Sequence, residues 1–196
     1  MATWFTSDMH FDHTRILELV PLRGETFSDL DHMDTELVRR WNERVLPDDK
    51  VFVLGDAVMG QREMSLPILD RLNGEKHLIM GNHDYCWPHL WKPKQAEKAA
   101  RWIDAYAPYF YQMSTEGGHT LPDGTFVRLH HFPYVGDSHG EDRYGEHRPL
   151  DDGTPLLHGH VHDEWKVRFT ANNGTPMVNV GVDVWDFRPE IGRAHV

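Results

Sequence analysis

Three short hydrophobic runs, each ending on a polar residue that can bind a ligand, constrain this chain more than any other feature. Thr3 to Ser7 runs into Asp8, Lys50 to Leu54 into Gly55-Asp56, and Lys76 to Met80 into Gly81-Asn82. Runs of this length bounded by Gly and Asp read as strands. Between the first two lies an amphipathic helix, in which Leu30, Met33, Leu37, Val38, Trp41 and Val45 recur at helical spacing and Ser28 with Asp31 forms a capping box. Between the second and third, a shorter helix starts near Ser65 and presents Ile68, Leu69 and Leu72. Strand, helix, strand, helix, strand requires parallel pairing through right-handed crossovers. Ligands in such sheets bind beyond the carboxyl ends of the strands, where Asp8, Asp56 and Asn82 fall.

The second half changes character. Phe126 to Leu129, Pro155 to Leu157, Lys166 to Phe169 and Met177 to Val180 are short strand candidates with little helix between them, so a second sheet is expected. At 196 residues the whole makes one domain. One long irregular stretch, from about Gly136 to Gly153, is polar and rich in Asp, Glu, His and Arg, as functional or mobile loops are. The stretch from Asn179 to Asp183 reads as a strand and turn that buttresses the loop around residue 160.

The polar motifs are Asp8-Met9-His10, Gly55-Asp56, Gly81-Asn82-His83-Asp84, His131-Phe132-Pro133 and Gly159-His160-Val161-His162. Leaving out His83 and Asp84, they supply two carboxylates, one amide oxygen and four imidazoles, a donor mixture that suits a pair of divalent transition metals better than calcium or a structural zinc. In extended segments Asp8 and His10 share a face, as do His160 and His162, so each pair is placed to converge.

In order and spacing these motifs resemble the calcineurin-like metallophosphoesterase family, whose blocks are DxH, GD, GNH(D/E), a His before an aromatic residue and Pro, and GHxH. The resemblance runs from Asp8 to His162. It implies an α/β fold, a four-layer αββα sandwich of two mixed sheets flanked by helices. It also implies one metal on Asp8, His10, Asp56 and His162 and another on Asp56, Asn82, His131 and His160. His131 rather than His130 is taken as the ligand because it directly precedes Phe132-Pro133. Metals roughly 3.5–4 Å apart share a hydroxide that attacks phosphorus in line. By the same resemblance His83 is the candidate acid for the leaving group, with Asp84 to orient or charge-stabilise it. Manganese is the favoured metal; iron, zinc, nickel and cobalt suit the same donors.

His13, in the loop after the first motif, and Arg143 and Arg148, in the long polar loop, are candidate substrate contacts, although arginines among so many acids are more often solvated. His32, His77, His89, His119, His139, His147 and His195 read as surface or packing residues, and His158 as a structural group at a strand end. Trp87, Trp91 and Trp102 lie in a Lys-, Ala- and Pro-rich segment that either caps the site or covers the sheet.

A formal charge of −11 argues against a basic track for a nucleic-acid backbone, but not against a small phosphoester held on two cations. No apolar run approaches membrane-spanning length, no basic-then-apolar leader opens the chain, and the single cysteine, Cys86, fits a reducing compartment, so a cytoplasmic protein is expected. The leading expectation is a phosphodiesterase on small, cyclic-nucleotide-like substrates. A phosphomonoesterase or protein phosphatase is the alternative, followed by a nuclease; a non-catalytic module is disfavoured because every ligand position is filled. Nothing in the sequence specifies an oligomeric state.

Overall fold

A computed structural model describes residues 1–191; His195 lies outside them. In chain order the elements are β1 (Thr3–Thr6), α1 (Ile16–Leu19), α2 (Pro21–Thr26), α3 (Leu30–Asn42), β2 (Lys50–Val53), α4 (Arg62–Ser65), β3 (Glu75–Ile79) and α5 (Ala96–Tyr106). Then come β4 (Gln112–Ser114), β5 (Glu116–Thr120), β6 (Phe126–His130), β7 (Leu156–His158), β8 (Val167–Phe169), β9 (Pro176–Asn179) and β10 (Glu190–Ile191). They build two five-stranded mixed sheets, ordered β10-β1-β2-β3-β4 and β5-β6-β7-β9-β8. The expected pair of mixed sheets flanked by helices is the fold the chain adopts.

Strand alternation explains how the layers stick together. On β2, Val51 and Val53 join the core under the helices with Met33, Leu37, Val38 and Trp41 of α3, while Phe52 and the following Leu54 turn to the other side. There Phe5, Leu54 and Ile79 of the first sheet meet Val127, Leu129 and Leu157 of the second. The outer face of the second sheet is covered by Tyr134, Leu156, Met177 and Trp165.

The parallel set β1-β2-β3 is in register, with Phe5 beside Phe52 and Phe52 beside His77, so their carboxyl ends line up at one edge. β4 adds a further parallel strand and β10 an antiparallel edge. Neither carries a hydrophobic run that a sequence pattern would reveal.

The start of α3 differs from the expected capping box. The cap is Asp29, whose Oδ1 accepts from His32 N at 2.8 Å, while Ser28 Oγ donates to Asp29 Oδ2 at 3.0 Å. A carboxylate is the better partner for the positive end of a helix, so Asp29 takes the position and Ser28 supports it. The expected helix near Ser65 is α4 followed by a 3₁₀ segment, Leu66–Arg71, that still buries Leu66 and Leu69. α5 arises in the Lys- and Ala-rich stretch and buries Trp102 and Tyr106 one turn apart. The tryptophans there cover the sheet: Trp102 packs edge-on to Tyr85, Trp91 Nε1 donates to Tyr85 O, and Trp87 lies against Phe132.

On α3, Asp34 is half-buried and accepts from Asp12 N at 3.0 Å, with its other oxygen unpaired. Burial, with the charges of Asp12 and Asp31, raises its carboxyl to about 7. The stability it contributes is therefore complete below 3.8 and is lost as pH rises through about 7. Asp34→Asn is expected to stabilise the protein by roughly 1–2 kcal/mol at pH 8, after discounting for exposure, and not at pH 4. Thermal melts of both proteins at the two pH values check this; an equal effect at both would remove the titration as its cause.

Candidate metal centre

The carboxyl ends of β1, β2 and β3 bring the first three motifs together, and the loops after β6 and β7 bring in the other two. The chain leaving β1 runs alongside the chain leaving β2: Asp8 N donates to Gly55 O, His10 N to Asp56 O and Phe11 N to Ala57 O, at 3.0–3.1 Å. The Asp8 carboxylate reaches across to the second sheet, where Oδ2 accepts from His160 N at 3.0 Å.

Side chains converge here by a route different from strand alternation. Asp8, His10, Asp56, His160 and His162 all have left-handed backbones, with φ of 57°, 51°, 54°, 73° and 47°. Each such residue carries conformational strain of order 1–3 kcal/mol, and such strain clusters at functional sites. Sharp turns, not extended segments, aim these donors inward. Glycines make room for them. Gly55 has φ +94°, and a Cβ at Gly159 would overlap the Ser7 hydroxyl and the Asp8 carboxylate.

Asp56 sits between the two halves of the cluster. Its Oδ2 lies 3.6 Å from His10 Nε2 and 3.5 Å from His131 Nε2, and its Oδ1 accepts from His83 N at 2.9 Å. Asn82 Oδ1 lies 2.9 Å from His131 Nε2 and 3.1 Å from His160 Nδ1. His131 is fixed from behind by Nδ1 against Leu54 O at 2.8 Å, so the ring's other nitrogen faces the cluster. His130 instead turns Nδ1 to Phe132 N, away from it. The donor atoms of Asp8, His10 and His162 lie within 4.8 Å of one another, as do those of Asp8, Asp56 and His131.

The residues fit divalent cations on a direct observation. Asp8 Oδ1 and both ring nitrogens of His10 are buried without a hydrogen-bond partner. Buried polar atoms in folded proteins almost always have partners, and two of these orphans, Asp8 Oδ1 and His10 Nε2, lie 3.9 Å apart within one cluster. The surroundings act on the donors in different directions, and against the effect of burial the Asp183 hydrogen bond, with the Asp8 and Asp183 charges, raises His162. Burial, with the charges of His162 and His83, lowers His10 well below its usual value, and burial lowers His160 to about 3, so both rings are neutral and able to ligate. Burial raises the Asp8 carboxyl. Burial also opposes ionisation of Asp56, yet the His131 and His83 charges hold Asp56 below the usual carboxylate range.

A cavity of about 560 Å³ opens over the cluster, lined by His10, Asp56, His83, His160 and His162 on its floor and by His13, Leu19, Pro21, Ser138 and Arg143 on its walls. His83 is exposed there, its ring edge-on to His10 at 5.5 Å. His13 and Arg143 thus line the cavity.

Asp84 and Arg148 do not have the surroundings expected of them. Asp84 is fully buried, and its oxygens accept from three backbone amides, Gly81 N at 2.8 Å, Asp56 N at 2.9 Å and Ala57 N at 3.1 Å, rather than from the His83 ring. It ties the ends of β2 and β3 together. Arg148 donates to Pro133 O, Gly136 O and Arg143 O and pairs with Asp142, which closes the polar loop on itself.

Among known proteins the chain is 36% identical to the Gene 66 protein of Mycobacterium phage L5 over 192 residues, 93% of this chain and 87% of that one. It is 38% identical to the Gene 66 protein of Mycobacterium phage D29 over 189 residues, 93% and 88% of the two chains. The chain belongs to the phage Gene 66 family. No protein-family model matches it. The fold is shared with a protein of unknown function, AQ665 from Aquifex aeolicus, at a TM-score of 0.66 and 24% identity, over 98% of this chain and 96% of that one.

Three residues that no motif marked lie against the cluster in this Gene 66 relative: Arg23, Asp137 and Asp183. Arg23 and Asp183 are fully buried side chains paired across 160 positions of sequence, Nε to Oδ1 at 2.6 Å and Nη2 to Oδ2 at 3.0 Å. Burial opposes ionisation of Asp183, but the Arg23 charge and the His162 hydrogen bond hold it well below the carboxylate range. The buttress expected from Asn179 to Asp183 is present, with Asn179 Nδ2 donating to His162 O and Trp165 O. Arg23 lies on α2, where a lone arginine carries no sequence signal of burial. No helix among the described residues is long and apolar enough to cross a membrane.

Proposed function

We propose that this chain is a metal-dependent phosphoester hydrolase of the calcineurin-like metallophosphoesterase kind, working with two divalent cations, manganese favoured, on small phosphodiesters. The observation that carries the reading is the convergence of seven motif side chains from five segments around buried donors, Asp8 Oδ1 and the His10 ring, that have no protein partner. Asp8, His10, Asp56 and His162 would hold one cation, and Asp56, Asn82, His131 and His160 the other. When bound, such a pair supplies Lewis-acid charge at the phosphoryl oxygens and water acidic enough to attack at neutral pH.

The chain's own groups do the rest. His83, exposed beside the cluster, holds a proton at its ring for the departing alkoxide. The cavity is the size of a small-molecule site, and the chain's acidity disfavours a long nucleic-acid track. Diester preference follows from the guanidiniums. A monoester carries an extra negative charge, yet Arg148 is committed to the loop and Arg143, the one arginine lining the cavity among the described residues, is already paired with Asp137. The monoesterase reading rests on Arg143 turning from Asp137 to substrate.

The test is hydrolysis of matched aryl phosphodiester and phosphomonoester by metal-stripped protein, with manganese, zinc, nickel or magnesium restored in turn. Manganese-restored activity favouring the diester is expected, with His83→Ala slower by about 10²-fold or more on a poor leaving group while keeping its metals. Preference for the monoester would replace the diester reading. Inactivity on both with every metal would contradict the proposal.

A further inference from the structure

We infer that Asp183 and Asp137 are positioning residues that fix, one each, the two histidines of the Gly159-His160-Val161-His162 motif in opposite ring orientations, so that each aspartate governs the retention of a different metal. This rests on the metal-centre reading above.

An imidazole ligates through one nitrogen, and the hydrogen bond at its other nitrogen decides which. In His162 the outward nitrogen is Nδ1, 3.1 Å from Asp183 Oδ2, which leaves Nε2 for the cluster, where the ring stacks on His10 at 5.1 Å. In His160 the arrangement is reversed. Nδ1 faces Asn82 Oδ1 at 3.1 Å, and Nε2 lies 3.2 Å from Asp137 Oδ2, an ion-pair approach without hydrogen-bond alignment. Two residues apart in sequence, the rings are held from opposite sides by different carboxylates.

Both carboxylates are themselves immobilised. Arg23 grips Asp183 through two nitrogens and also donates to Met9 O at 2.9 Å and Asp8 O at 2.5 Å. The same guanidinium thus locks His162 to the backbone of the Asp8 motif, and the buried charges are paired and satisfied. The Asp137 side chain, 1% exposed, takes Arg143 Nη2 at 2.7 Å and Arg143 N at 3.0 Å, with Arg148 at 3.4 Å. One support is built into the core and the other into the polar loop that walls the cavity.

Carboxylates behind metal-bound histidines change metal affinity by about 10–100-fold when removed. Asparagine keeps the shape but sets an amide N–H₂ against an arginine or a ring N–H. Metal-free wild type, Asp183→Asn, Asp137→Asn and the double variant would be titrated with manganese, following free ion by electron paramagnetic resonance and bound ion by elemental analysis after desalting. Asp142→Asn is the control, since Asp142 pairs with Arg148 but approaches no ligand.

Wild type and Asp142→Asn are expected to bind two ions. Each single variant keeps one tight ion and binds the second about 10–100-fold more weakly, and the double variant weakens both. Melting temperatures of the metal-free proteins separate this from unfolding. Should Asp183→Asn not fold, Asp137→Asn, on a loop, decides alone. Two ions at wild-type affinity in a folded single variant, or equal loss of both, would overturn the inference. A wild type that binds no manganese would instead remove the metal-centre reading beneath it.

Discussion

Asp56→Asn is expected to leave a folded protein that holds at most one manganese and hydrolyses its phosphoester at least about 10²-fold more slowly. Among the described residues the carboxylate is the one acidic group within 3.6 Å of histidines from both halves of the cluster, His10 and His131. Lewis-acid stabilisation by a cation is worth several kcal/mol, and each 1.36 kcal/mol is a tenfold rate, which sets the size of the loss. The fold should not suffer. The substituted amide would keep an oxygen for His83 N, and removing the charge relieves repulsion that raises Asp8 and Asp84. Metal-free Asp56→Asn is therefore expected to fold, the relieved repulsion offsetting the lost attraction to His131 and His83. Two tightly bound ions with normal turnover in this variant would mean that Asp56 does not join the two halves.

Asp84→Ala is expected to act on stability first. It strands three buried amides, those of Gly81, Asp56 and Ala57, at about 1–3 kcal/mol each, so a loss of at least about 3 kcal/mol follows. For a chain of this size that is a fall in Tm of roughly 10 °C. Asp84→Asn keeps one acceptor oxygen and should fall between. If Asp84 acted on the His83 ring instead, Asp84→Ala would shift the pH dependence of turnover and leave Tm unchanged. Melts and pH–rate profiles of the two variants separate these outcomes.

How the sequence discloses this molecule follows from what each residue needs locally. β1, β2 and β3 carry hydrophobic runs because both faces are covered, so they are visible as patterns. β5 is Glu-Gly-Gly-His-Thr and β10 only two residues, edge strands held by backbone pairing that leaves no pattern. Five of the seven motif donors, Asp8, His10, Asp56, His160 and His162, sit in left-handed turns. Alternation gave the right convergence for Asp8 and His10 by the wrong geometry, since their positive φ values are a tertiary feature. Arg23 and Asp137 were illegible for a different reason, and of Asp183 only its place in a buttressing turn could be read, not its ion pair. Their partners lie far away in sequence or in an irregular loop, and an ordinary Arg or Asp carries no mark of burial until the fold supplies it.

The most direct test of the account is anomalous scattering from manganese in crystals of the metal-loaded protein. Two peaks are predicted, both touching Asp56, one also contacting Asp8, His10 and His162 and the other Asn82, His131 and His160. No peak within this ring, in crystals grown with excess manganese, would contradict the claim that these residues form a metal centre.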